Sequence, residues 1–228
     1  MNDSKNKVVT IAGIGGTGCR VLGNLNRSGI SGAVRLLALD TDAESLAATG
    51  LPPEQRILAG KLWRNGHGCG GNVEYGQIAF AHERGEIGKK LAGSDLLIIT
   101  AGLGRGAGTG GLRIIASEAS KLGIPQMVLT TLPFAIEGAE RRREAERCVN
   151  RELAGVVEAK VVLPNDLLFA SLPPTASLEE AFELANNELA RAVLAFGRMF
   201  FSDNLLATDL ESFTEMVKGK KTSVTLNA

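Results

Sequence analysis

Two glycine-rich segments, each directly behind an apolar run, constrain this 228-residue chain more than any other feature. The first, IAGIGGTGCR (11–20), continues from Val8-Val9-Thr10, and the second, AGLGRGAGTGG (101–111), continues from DLLIIT. An apolar run of strand length, a glycine turn and then an amphipathic segment is the pattern of a strand feeding a crossover helix. The pattern recurs along the chain. Strands are predicted over 8–12, 34–40, 95–102, 126–134 and 159–166, and helices over 18–28, 112–122, 138–156 and 178–198. This alternation predicts an α/β fold with a mostly parallel sheet flanked by helices. The final KGKKTSVTLNA adds a basic turn and one short alternating strand, expected to join the sheet as an edge or to hang free.

Both glycine segments would open helices at the carboxyl edge of the sheet, where backbone N–H groups and the helix dipole favour an anion. The first alone spells G-x-G-x-x-G (Gly13, Gly15, Gly18), with Asp40 placed as the ribose-bonding acid of a dinucleotide enzyme would be. Two such segments at one edge can hold a phosphate chain from both sides. Neither reads G-x-x-x-x-G-K-[ST], so no Walker lysine is available. Charge compensation would fall to backbone dipoles, a Mg²⁺ ion and an arginine.

Composition narrows the field. Formal net charge is 0, which gives no global basic field for nucleic acid or an anionic membrane. Arg141–Arg143 sit among Glu137, Glu140, Glu144 and Glu146, a salt-bridged solvated face and not a nucleic-acid contact. Cys19, Cys69 and Cys148 form no CxxC, and two histidines are too few for a histidine metal site. No metal site built from the protein's own side chains is expected. No apolar stretch reaches the roughly 18 residues of a membrane span, and the first residues lack the apolar core of a secretory leader. A cytoplasmic location without direct membrane insertion is the expectation.

The second glycine segment resembles the signature G-G-G-T-G-[ST]-G loop of the FtsZ/tubulin superfamily of GTPases, and the resemblance runs in order along nearly the whole chain. GIGGTGC is similar to the family's first phosphate loop, ALDTDAESL (38–46) to A-x-N-T-D-x-x-x-L, and GHGCGGNVEYG (66–76) to the loop beside the γ-phosphate. LPFAIEGAERR (132–142) looks like P-F-x-x-E-G-x-x-R, LPNDLL (163–168) like P-N-D-x-L, and AFELANNELARAV (181–193) like the family's central helix. The resemblance implies a Rossmann-like tubulin/FtsZ nucleotide-binding domain with GTP or GDP as ligand, accompanied by Mg²⁺. It implies that Gly15, Gly16 and Gly18, with Gly104, Gly106, Gly108, Thr109 and Gly110, bind the phosphates, and that Gly70, Gly71 and Asn72 close over the γ-phosphate. Glu137 and Arg141 would lie at the ribose and sugar-phosphate region, Asn165 would contact the nucleoside, Phe182 would stack on the base and Asn186 would bond its edge. Packing in a helix core is the competing reading of Phe182, and a surface amide that of Asn186.

The departures from the family fall at functional points. Arg20 stands where the family has Asn, and the second loop carries Arg105 for a glycine and Ala107 for a threonine. Both arginines are candidate phosphate ligands; pointing inward, they could also fill the site and exclude nucleotide. Asp40 stands for Asn, and Asn187 for the Asp that accepts from guanine N1–H and the amino group. An amide accepts only through its oxygen and carries no charge. Guanine selectivity should therefore weaken, with guanine still the expected base. In the family's N-x-D-x-x-D catalytic loop, which acts on the next subunit's nucleotide, this chain places Ala207, Asp209 and Ser212. Only Asp209 remains as a catalytic acid acting in trans, so hydrolysis is expected to be slow or absent.

The expected organisation is a GTP-binding domain over 1–200, including the central helix 178–198, then a degenerate catalytic loop, short helix and strand over 201–228. The family's second, activation domain would begin where the sequence stops, and the drifted positions favour a naturally short protein over a cut one. The leading reading is a cytoskeletal nucleotide-binding protein that associates with itself, as a filament or a dimer, under nucleotide control. A nucleotide-independent pseudo-GTPase scaffold for an unidentified protein partner is the alternative. An NAD-dependent or adenylate-forming enzyme is disfavoured by the second glycine loop and by the lack of a catalytic histidine or lysine constellation.

Overall fold

Every apolar run becomes a strand of one parallel sheet in the computed structural model, which describes residues 7–30, 34–201, 212 and 223–224. The chain runs through β1 (Val9–Ile14), α1 (Gly15–Arg27), β2 (Arg35–Asp40), α2 (Ala43–Ala48), β3 (Arg56–Leu58), α3 (Lys61–Arg64), α4 (Val73–His82) and α5 (Arg84–Leu91). It continues with β4 (Leu96–Gly102), α6 (Gly106–Lys121), β5 (Gln126–Leu132), α7 (Ala139–Arg147), β6 (Ala159–Pro164), α8 (Leu178–Phe201) and β7 (Ser223–Val224). The strand order is β3-β2-β1-β4-β5-β6-β7, parallel throughout. The short final strand β7 takes the edge beside β6.

Side-chain alternation divides these runs between two cores. Val9 and Ile11 of β1, Leu36 and Ala38 of β2, and Leu96 and Ile98 of β4 face α1 and α8. Ala12 and Ile14, Leu37 and Leu39, and Leu97, Ile99 and Ala101 face the layer that includes α4, α5 and α6. A run buried on both faces is what a parallel sheet covered on both sides requires.

Three helix boundaries differ from expectation. α1 opens at Gly15 and α6 at Gly106, so glycines expected in loops form the first turns of helices. Glycine is a poor helix former, but here tertiary fit overrides propensity. A Cβ on Gly15 (φ +69°) would stand 2.9 Å from the Gly108 backbone nitrogen, so the two helix starts meet backbone to backbone. The charged helix expected over 138–156 stops at Arg147 and passes into a wide turn over Cys148–Glu152, with Cys148 and Val149 buried under the sheet.

Candidate nucleotide site

β1 and β4 are neighbours in register, with Ile14 beside Ala101, yet α1 leaves for one face of the sheet and α6 for the other. Where successive crossovers part in this way, the carboxyl edge opens into a crevice. A cleft of about 1240 Å³ lies there. Gly15, Gly16 and Thr17 of α1 and Gly106, Ala107 and Gly108 of α6 line it. Neither helix has a side-chain cap or an acidic residue in its first turn. Gly106 donates its N–H to the Gly71 carbonyl (2.9 Å), and the Thr109 N–H reaches back to the Arg105 carbonyl (3.2 Å). Between them, the amides of Ala107 and Gly108 precede the helix's own bonding. Two uncapped positive helix ends converging on one cleft make an anion site.

The opposite wall is the segment 66–72. It is tied to the end of β2 by Gly68 N–H to the Thr41 carbonyl (2.9 Å) and Cys69 N–H to Thr41 Oγ1 (3.0 Å). Its Gly70 and Gly71 line the cleft. At the other end, α8 contributes Phe182, Asn186 and Asn187, while Glu137 and Asn165 stand between. Phe182 meets Phe134 edge to face, with centroids 5.3 Å apart at 82°. Asn165 is buried, and its Oδ1 has no partner among the described residues. A buried acceptor left unpaired is costly, and a ligand hydroxyl or amine would satisfy it.

Twelve of the eighteen residues expected to bind a nucleotide line this cleft: Gly15, Gly16, Arg20, Gly70, Gly71, Arg105, Gly106, Gly108, Glu137, Asn165, Phe182 and Asn186. The other six do not line it. Gly18 packs against the backbone of Gly13 and Thr100, and Gly110 against that of α4. Asn72 caps α4 by accepting the Tyr75 N–H (2.9 Å), and Thr109 Oγ1 accepts the Gly104 N–H (2.8 Å). Arg141 pairs with Glu137 at 3.3 Å. Asp209 lies outside the described residues; Ser212 is described and exposed. Sequence reasoning overlooked Asn24 and Arg27, which line the cleft from α1. Their spacing of four and seven from Arg20 was the available signal. No group of three His, Cys, Asp or Glu side chains that could hold a metal occurs among the described residues. A Mg²⁺ ion, which takes few protein ligands when phosphate is present, would depend on the nucleotide's oxygens with hydroxyl or carboxylate groups along the wall such as Thr17 and Asp42.

Asp40 is the buried charge in this wall. Burial pushes its carboxyl up to about 6, against the backbone N–H groups of Thr41 (2.6 Å) and Asp42 (3.4 Å), which favour the ionised form. The neighbouring Cys19 thiol, 3.9 Å from Oδ2, is raised as well by its own burial and by Asp40. With the folded value above the unfolded one, the native state holds more protons between roughly pH 4 and 6. The contribution of Asp40 to stability therefore falls as pH rises through that window and is level above it. Asp40→Asn keeps both backbone bonds, because both end on Oδ1. It is expected to raise stability at pH 7 by something on the order of 2 kcal/mol and to abolish the slope. Urea titrations of both proteins at pH 5 and 7.5 check this; an unchanged slope in Asp40→Asn would assign the pH dependence elsewhere.

The tubulin/FtsZ family, GTPase domain, matches residues 8–173. This chain belongs to that family. Cell division protein FtsZ 1 of Archaeoglobus fulgidus is 36% identical over 213 residues, 93% of this chain and 56% of that protein. The solved FtsZ dimer of M. jannaschii, in its empty form, superposes with a TM-score of 0.86 at 32% identity, over 95% of this chain and 62% of that one. CetZ2 from Haloferax volcanii, solved as a GTPγS-bound protofilament, gives 0.72 at 28% identity, over 87% and 60%. The chain thus spans a little over half the length of the curated relatives it matches. Binding of GTP is implied by the family. No described helix is long and apolar enough to cross a membrane.

Proposed function

We propose that this chain is a cytoplasmic, FtsZ-like assembly protein whose 1–200 region binds a purine nucleoside triphosphate, GTP by the family's precedent, and that the bound nucleotide controls self-association. The observation that carries the reading is the convergence of the α1 and α6 N-termini, both uncapped, on one cleft. The phosphates would lie across Gly15–Thr17 and Gly106–Gly108, facing the wall at Gly70 and Gly71. The nucleoside would reach toward Asn165, Phe182 and Asn186. These residues bind and orient; among the described residues, no histidine or lysine lines the cleft. Ser212 offers a hydroxyl where the family has a carboxylate, and a hydroxyl at its ordinary pKa does not take a proton from water.

Self-association should therefore respond to nucleotide binding more than to turnover. In sedimentation and negative-stain microscopy, GTP with Mg²⁺ is expected to produce filaments or a defined dimer that the nucleotide-free protein does not form. Steady-state hydrolysis should stay below about 1 per second, the lower end of ordinary enzymes. A sedimentation profile indifferent to nucleotide would replace this reading with that of a scaffold.

A further inference from the structure

A second, smaller cavity of about 250 Å³ lies behind the wall that closes the nucleotide cleft. Gly68 and Cys69 line both spaces, so a single thickness of chain separates them at that point. Ala59 and Gly60 after β3, with Tyr75 and Ala79 of α4, supply most of the remaining lining. Ala59 and Ala79 are buried but too short to reach across the space, while the exposed Tyr75 marks its open side. Native interiors keep few spaces larger than a water molecule, and one of this size beside a binding cleft has room for a ligand.

The lining decides what kind of ligand. Its buried hydroxyl, on Thr41, accepts the Cys69 N–H (3.0 Å), and the Gly68 N–H is donated to the Thr41 carbonyl (2.9 Å). None of the buried side-chain nitrogen or oxygen atoms that lack a partner among the described residues belongs to this cavity. Its walls therefore call for apolar surface and for no charge. Dry apolar space of about 150 Å³ takes up benzene, so this cavity accommodates up to two fused rings.

The shared segment also links the cavity to the cleft. Gly66, Gly68, Gly70 and Gly71 all have positive φ, and glycine backbone costs the most entropy to fix. The segment leans on the start of α6. Gly71 accepts the Gly106 N–H (2.9 Å), and Cys69 Sγ packs so closely on Gly106 that a Cβ there would overlap it. A ligand behind Gly68 and Cys69 holds the segment against α6, where it faces the phosphates. Part of the ordering that a nucleotide would otherwise impose is then already done.

We propose that this cavity binds a small neutral aromatic molecule of one or two rings, and that its occupancy tightens nucleotide binding across the Gly68–Cys69 partition. The cavity stands apart from the nucleotide reading above; the coupling rests on it. By reciprocity, nucleotide tightens the aromatic ligand by the same factor.

The probe is indole, whose one N–H can face the open side, titrated into the nitrogen-15-labelled full chain without nucleotide. Saturable amide shifts are expected at Gly60, Gly68, Cys69 and Ala79, with a Kd on the order of 1 mM or tighter. Indole-3-carboxylate, which carries a charge into the same space, should bind about tenfold more weakly or worse. Ala79→Leu, which fills the space from α4, should weaken indole by about tenfold or more. Ala79→Val should weaken it by a smaller factor, and carries the comparison alone if the leucine variant does not fold. At submicromolar protein, saturating indole should tighten N-methylanthraniloyl-GTP by about fivefold or more, the lower end of ordinary coupling. Absence of saturable shifts at those amides, equal affinity for the carboxylate, or indole affinity untouched by the folded variants would overturn the site. Nucleotide affinity left unchanged or weakened by indole would overturn the coupling. A fluorescent nucleotide that never binds, while indole does, would remove the nucleotide reading and the coupling together and leave the aromatic site standing.

Discussion

Gly110→Val is expected to lower stability by about 3 kcal/mol, the upper end of the usual overpacking range, because the site cannot yield. Gly110 lies in the first turns of α6 and is buried where that helix presses on α4. A Cβ there would stand 2.5 Å from the Gln77 backbone nitrogen and closer still to the Val73 carbonyl oxygen. Backbone cannot swing aside as a side-chain tip can, so the helices must separate. For a chain of this size the loss corresponds to a fall in Tm of roughly 10 °C. The consequence reaches the cleft, because α4 begins at the Asn72 cap and the preceding Gly70 and Gly71 form the wall opposite the phosphates. Nucleotide affinity should fall along with Tm. Thermal melts by circular dichroism check the first effect, and a drop under about 2 °C would mean that α4 and α6 can part without cost.

That contact also explains where sequence reading succeeded and where it stopped. β1, β4 and β5 were legible because burial on both faces leaves an uninterrupted apolar run. The start of α6 was not, since a string of glycines scores as a loop. Its glycines serve close approach: Gly108 to Gly15, Gly110 to α4. Between 43 and 91, α2 and α3 have six and four residues and β3 has three, too short for any period to declare itself. The cleft's composition was largely legible through ordered motifs, yet its polarity was not. The bond between Asn24 and Asn187 joins residues 163 apart in the chain, and no local pattern could announce that contact. Likewise the elevated Asp40 carboxyl follows from depth in the wall, which only the closed sheet creates.

Arg105→Ala is expected to weaken triphosphate binding by about 10- to 100-fold while leaving the ligand-free protein as stable as before or slightly more so. Arg105 occupies the N-cap of α6, exposed, on the wall of the cleft and beside Gly71. A cation at a helix N-terminus faces the positive end of the dipole, which is unfavourable by a few tenths to about 1 kcal/mol. The residue therefore does little for the empty fold. With an anion in the cleft the sign reverses, and one charge-assisted hydrogen bond contributes about 1.5–3 kcal/mol, hence the expected loss. Because Arg105 stands beside Gly71 in that wall, the loss should be larger for the triphosphate than for the diphosphate. Titration of both N-methylanthraniloyl nucleotides against wild type and Arg105→Ala measures the two ratios. The opposite result, tighter binding once the guanidinium is gone, would mean that Arg105 fills the anion site itself, and the chain would then act as a nucleotide-free scaffold of the tubulin/FtsZ family.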